Sequence, residues 1–150
     1  PRSKQPRRGR AVPRNIRDDL VTLAREIDLP RAEKVGREGA QRLVDIAKEA
    51  GVDRFVMLSS IGADNPPEDN EIAHYLKAKQ AADQHLEASG LTYVILRPVA
   101  LTDDRKTDAV KLGDDVDQSA KAHRADVAAV LAEAAVSGRH DGKAMDMQTA

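Results

Sequence analysis

The sequence predicts an α/β fold, a parallel sheet with flanking helices, and three observations carry that prediction. Two runs, Phe55-Val56-Met57-Leu58 and Tyr93-Val94-Ile95-Leu96, are apolar throughout, as strands covered on both faces are. Segments with helical apolar spacing stand before, between and after them. Glycines follow two of those segments, at Gly51 and Gly90, where a helix commonly stops. Alternation of this kind argues for βαβ units. Ligands of such sheets bind beyond the carboxyl ends of the strands.

Residues 1–14 mix Pro, Arg and Gly without periodicity and read as a disordered arm. A helix is predicted from Asn15, with Ile16, Leu20, Leu23, Ala24 and Ile27 on one face and Pro30 ending it. After Arg37 a second helix follows, with Ala40, Leu43, Val44 and Ala47 on one face. The first strand comes next, then a loop from Ile61 to Asn70 in which Asn65-Pro66-Pro67 forbids regular structure. Asp69 or Asn70 is placed to cap a helix running to about Ser89. The second strand ends at Arg97-Pro98. Residues 101–123 read as loop with one short strand near Val110 to Leu112. An Ala/Val-rich helix from Arg124 to Val136 and a last strand from Ala144 to Met147 complete the series.

Charge divides the chain. Residues 1–31 hold nine Lys/Arg and four Asp/Glu, a net of +5, whereas 32–150 hold 15 and 21, a net of −6. The expectation is a basic arm with a short helix over 1–31 and a folded part over 32–150. There is no cysteine, which removes disulfides, thiolate zinc sites and a cysteine nucleophile. Phe55, Tyr75 and Tyr93 are the only aromatics, too few for a single-strand stacking platform. No apolar run approaches the roughly 20 residues that span a bilayer, so a cytoplasmic protein without membrane contact is expected.

Chemistry concentrates in one helix. Tyr75 and Lys79 are four residues apart and share a face. An ammonium beside a phenol favours the phenolate and predicts a lowered Tyr75 pKa. A phenol tuned in that way can pass a proton to or from a carbonyl or alcohol oxygen. Ser60, at a strand end, is placed to donate a hydrogen bond to the same oxygen. Alone the Tyr-x-x-x-Lys pair is weak, and a solvated helix face would explain it. Its position between a strand ending Ser-Ser and one ending Arg-Pro gives it weight.

From about Ala32 to Ala150 the chain resembles the atypical short-chain dehydrogenase/reductases, in particular the NAD(P)H-binding, NmrA-like and sugar-epimerase-like proteins. The resemblance rests on Arg37-Glu38-Gly39-Ala40, the stretch Arg54 to Asp64, and Tyr75-Leu76-Lys77-Ala78-Lys79. It continues through Leu96-Arg97-Pro98, Leu101-Thr102-Asp103, Arg124-Ala125-Asp126-Val127-Ala128 and Gly142-Lys143. It implies a Rossmann-like fold, NAD or NADP as cofactor, and an oxidoreductase or NAD-dependent epimerase/dehydratase. Ser60, with Ser59, would hold a substrate oxygen, Tyr75 would be the acid/base, and Lys79 would bind the nicotinamide ribose. The backbone at Pro98 and Val99 would approach the nicotinamide, and the segment from Leu101 would line the pocket. Arg124-Ala125-Asp126 would form a capped helix start.

Complete members of that family receive the cofactor pyrophosphate on a Gly-rich turn after a first strand. No such glycine run occurs here, so the fold is expected to be truncated at its N-terminus. Two readings stay open, an enzyme acting on a small-molecule substrate and a non-catalytic nucleotide sensor or remnant. Self-association through an exposed sheet edge is expected. His74, His85, His123 and His140 read as surface or packing residues. Asp103-Asp104 and the acidic run from Asp114 to Asp117 read as solvated loop charge. The arm from Arg2 to Arg17 can attract nucleic acid electrostatically, but without a reading motif nucleic acid is not the expected partner.

Overall fold

In a computed structural model the described residues are 29–150. Helix α1 (Leu29–Glu49) leads into β1 (Arg54–Leu58), α2 (Ala73–Ala88) and β2 (Thr92–Pro98). Three short strands follow, β3 (Ala100–Thr102), β4 (Val110–Leu112) and β5 (Lys121–His123), then α3 (Arg124–Ser137) and β6 (Lys143–Thr149). The sheet has the order β1-β2-β6-β4, parallel from β1 to β6. The arm over 1–14 and the helix expected from Asn15 lie outside the described residues.

Each face of the sheet carries its own core. Phe55, Met57 and Ile95 pack with Val44 and Ala47 of α1 and Ala82 and Leu86 of α2. On the opposite face Val94, Leu96, Met145 and Met147 meet Val127, Leu131 and Ala134 of α3. The continuously apolar β2 therefore reads as it does because both its faces are covered. In β1 only Phe55 and Met57 are buried, and Val56 and Leu58 are half-buried. That strand ends the sheet among the described residues, which weakens its cover on one face.

Pro30, expected to end the helix from Asn15, sits in the first turn of α1, where its missing N–H would have no intrahelical acceptor in any case. Three other local expectations change. Residues 101–123 contain β3 and β5, parallel to each other as well as β4. β4 pairs with β6 antiparallel, so the sheet is mixed at that edge. The start of α3 is not capped by a side chain. Its buried Asp126 instead accepts the Thr107 and Asp108 backbone N–H groups, both at 3.0 Å. Asn70 accepts the Ile72 N–H at 3.1 Å, one residue ahead of α2.

Gly138 ends α3 at φ +69°, a region L-residues with a Cβ avoid. A Cβ there would also lie 3.0 Å from Arg54 Nη2. That guanidinium is held by Asp141 through a two-pronged pair at 2.6 and 2.7 Å, joining the start of β1 to the turn before β6.

Candidate active site at the ends of β1 and β2

Beyond Leu58 the chain leaves the sheet as Ser59-Ser60-Ile61. Ladder-like backbone bonds hold it, from Ser59 N–H to Leu96 O at 2.7 Å and from Ile61 N–H to Pro98 O at 3.1 Å. Helix α2 crosses this exit. Lys79 Nζ donates to the Leu58 carbonyl at 3.2 Å and lies 5.7 Å from the centre of the Tyr75 ring. The Ser60 side chain is near enough to the Tyr75 phenol to favour its ionised form. Ser60 from the chain leaving β1 and Tyr75 and Lys79 from α2 thus come together at one parallel strand end.

Ser59 is placed differently. Its hydroxyl is buried and donates to Asp83 Oδ2 at 2.9 Å. Pro98 and Val99 are buried at the end of β2, with the Val99 N–H donated to Met147 O at 3.0 Å. Thr102, at the end of β3, has a buried hydroxyl oxygen without a hydrogen-bond partner among the described residues.

The electrostatics differ from the expected pattern. Burial pushes the Tyr75 phenol above its ordinary value, and Ser60 opposes that shift. The Lys79 ammonium is hydrogen-bonded to the Leu58 carbonyl and stands 5.7 Å from the ring centre. Burial lowers the Lys79 pKa, and the Asp83 carboxylate opposes this. Asp83 is itself raised by burial, against the pull of Ser59, Arg97 and Lys79.

Asp83 and Arg97 were not singled out by the sequence as site residues. Arg97 Nε donates to Asp83 Oδ2 at 3.0 Å, and the carboxylate is 1% exposed. Two signals were there to find. Asp83 repeats the four-residue step from Tyr75 to Lys79 on one helix face, and Arg97 interrupts an apolar strand.

Elsewhere, a cavity of about 380 Å³ opens between α3 and β4, lined by Val110, Leu112, Ala129, Val130 and Glu133 among others. None of the Tyr75 cluster lines it. Among the described residues no group of three or more His, Asp or Glu is placed to hold a metal ion. No helix there is long and apolar enough to cross a membrane.

The arrangement leaves hydrogen-bonding capacity at the strand end. An ammonium carries three donors, and Lys79 has one hydrogen bond among the described residues, leaving donors for a diol. The Tyr75 and Ser60 hydroxyls stand together for one oxygen. The pyrophosphate-binding glycine turn has no counterpart among these residues.

Comparison with known proteins identifies the family of the chain. A family described as NAD(P)H-binding matches residues 19–137. An uncharacterised sugar epimerase of Bacillus subtilis is 40% identical over 85 residues, covering 56% of this chain and 40% of that protein. A solved structure from Bacillus halodurans, assigned as an NAD-dependent epimerase/dehydratase, superposes with a TM-score of 0.76 at 29% identity. That superposition covers 84% of this chain and 60% of the other. The oxidoreductase ylbE from Lactococcus lactis gives a TM-score of 0.74 at 26% identity, covering 89% and 67%. The chain spans less than half the length of the curated relatives it matches.

Proposed function

The chain belongs to the NAD(P)H-binding family, and from that premise we propose that it takes NAD or NADP at the carboxyl ends of β1 and β2, with Ser60, Tyr75 and Lys79 as the reacting set. The observation that carries this reading is the meeting of these three side chains at one strand end. The similarity to an epimerase/dehydratase and an oxidoreductase supports it.

The cofactor, when bound, supplies a hydride donor or acceptor. Tyr75 holds the proton exchanged with a substrate carbonyl or alcohol oxygen, and Ser60 donates a hydrogen bond to that same atom. Lys79 directs its remaining N–H groups to the ribose hydroxyls. The backbone at Pro98 and Val99 borders the nicotinamide, and Ser59 holds the strand end through Asp83. The substrate is a small molecule with an oxidisable or reducible oxygen-bearing carbon. NADH and NADPH fluorescence titration tests binding, and Tyr75→Phe tests the acid/base role in any assay showing turnover. Undiminished turnover in that variant removes Tyr75 from the mechanism.

A second reading, nucleotide binding without turnover, is favoured by the raised Tyr75 pKa, since a phenol held protonated is a poor base at neutral pH. It predicts cofactor binding with no turnover on any carbonyl or alcohol. On either reading, the residues ahead of α1 form a basic arm, which limited proteolysis checks, and the protein is cytoplasmic. The outer edge of β1, unpaired among the described residues, serves self-association, which a monodisperse monomer in light scattering contradicts.

A further inference from the structure

Along one face of α2, Tyr75, Lys79 and Asp83 occupy successive positions four residues apart. Each meets a different residue of the chain leaving β1. Tyr75 lies near the Ser60 side chain, Lys79 Nζ donates to the Leu58 carbonyl at 3.2 Å, and Asp83 accepts from the Ser59 hydroxyl at 2.9 Å. Asp83 also receives Arg97 Nε from the end of β2. One carboxylate therefore joins the exits of two strands to the helix that carries Tyr75 and Lys79.

This carboxylate is costly where it stands. Its Oδ1 has no hydrogen-bond partner among the described residues, and a buried acceptor without one is destabilising. The charges facing it are Arg97 of β2 and Lys79 of its own helix. Across the sheet, Asp146 of β6 is the register neighbour of Arg97, with Asp64 and Asp114 acting on Asp146 in turn. Replacement of a buried ion pair by apolar residues of similar volume is often neutral or stabilising. Packing alone does not account for Asp83.

We propose that Asp83 is a positioning residue, which holds Ser59 so that Ser60 stays on the Tyr75 hydroxyl and Lys79 stays on the Leu58 carbonyl. Its meaning for catalysis rests on the function proposed above, whereas its action on Tyr75 does not. The chain has no tryptophan and two tyrosines, so in a Tyr93→Phe background the ultraviolet tyrosinate titration reads Tyr75 alone, without cofactor.

The test compares Ser60→Ala, Ser59→Ala and the double variant Asp83→Leu/Arg97→Met in that background. Loss of the Ser60 hydroxyl is expected to raise the Tyr75 midpoint. Positioning by Asp83 predicts an upward shift in the double variant, in the direction set by Ser60→Ala, with the thermal midpoint little changed. A Tyr75 midpoint unmoved in a folded double variant overturns the proposal. If the double variant does not fold, Ser59→Ala decides on the same criterion, a raised midpoint supporting the proposal and an unmoved one overturning it. NADPH titration of the same proteins is the second measurement. A wild-type chain that fails to bind NADPH sinks the proposed function, and the tyrosinate result still judges Asp83.

Discussion

Arg97 Nε reaches Asp83 Oδ2 at 3.0 Å, and the two side chains are 12% and 2% exposed, an ion pair drawn almost wholly out of water at the carboxyl ends of β2 and β1. Removing one partner from such a pair leaves an uncompensated buried charge. Arg97→Met alone is expected to cost about 3 kcal/mol, read from urea unfolding. Within this pair the lone loss should therefore be worse than the double replacement. Equal stability of Arg97→Met and the wild type would show that the pair contributes nothing.

Asp126 is a second buried carboxylate, with the opposite balance. Burial raises its pKa, but hydrogen bonds from Asp108, Thr107 and Thr149 outweigh this and hold it below the ordinary value. The folded state then binds fewer protons than the unfolded state just below that value, so stability falls as pH falls. Asp126→Asn should be less stable than wild type at neutral pH. The gap should narrow as pH drops through about 4 to 3, as urea midpoints at several pH values will read. A gap constant with pH contradicts the assignment.

Two glycines separate strain from contact. Gly90 and Gly138 both have positive φ, at +82° and +69°. A Cβ meets nothing within 4 Å at Gly90 but lies 3.0 Å from Arg54 Nη2 at Gly138. Gly90→Ala should cost about 1 kcal/mol from the backbone alone. Gly138→Ala should cost more, because the Arg54–Asp141 pair must also give way. Thermal denaturation of both variants checks the order.

Leu86 is fully buried between α2 and the α1 face of the sheet. Leu86→Ala leaves a cavity there and should cost about 3 kcal/mol. A loss well under 1 kcal/mol would mean that α1 is not packed on α2 as described.

Much of this was readable because burial writes itself into apolar runs. Phe55 to Leu58 and Tyr93 to Leu96 mark β1 and β2, and the Tyr75–Lys79 step marks the face of α2 turned to the end of β1. Other features have no such trace. β3 and β5 are three residues each, too short for a period to show. Asp83 lies in a polar stretch of α2 and reads as solvated, since its burial depends on Ser59 and Arg97 arriving from two strands. The direction of the Tyr75 shift is set first by burial, which depends on how α2 packs and leaves no trace in the Tyr75–Lys79 spacing. Pro30 is compatible with both the end and the beginning of a helix, and only the backbone distinguishes them.

Binding of a nicotinamide cofactor at the ends of β1 and β2 can be read by amide chemical-shift mapping of the whole chain during NADPH titration. Saturable shifts are expected at Ser59 to Ile61, Tyr75 to Lys79 and Pro98 to Leu101, weakened about tenfold in affinity by Lys79→Ala. Shifts centred instead on the cavity between α3 and β4, or no shifts at all, would contradict it.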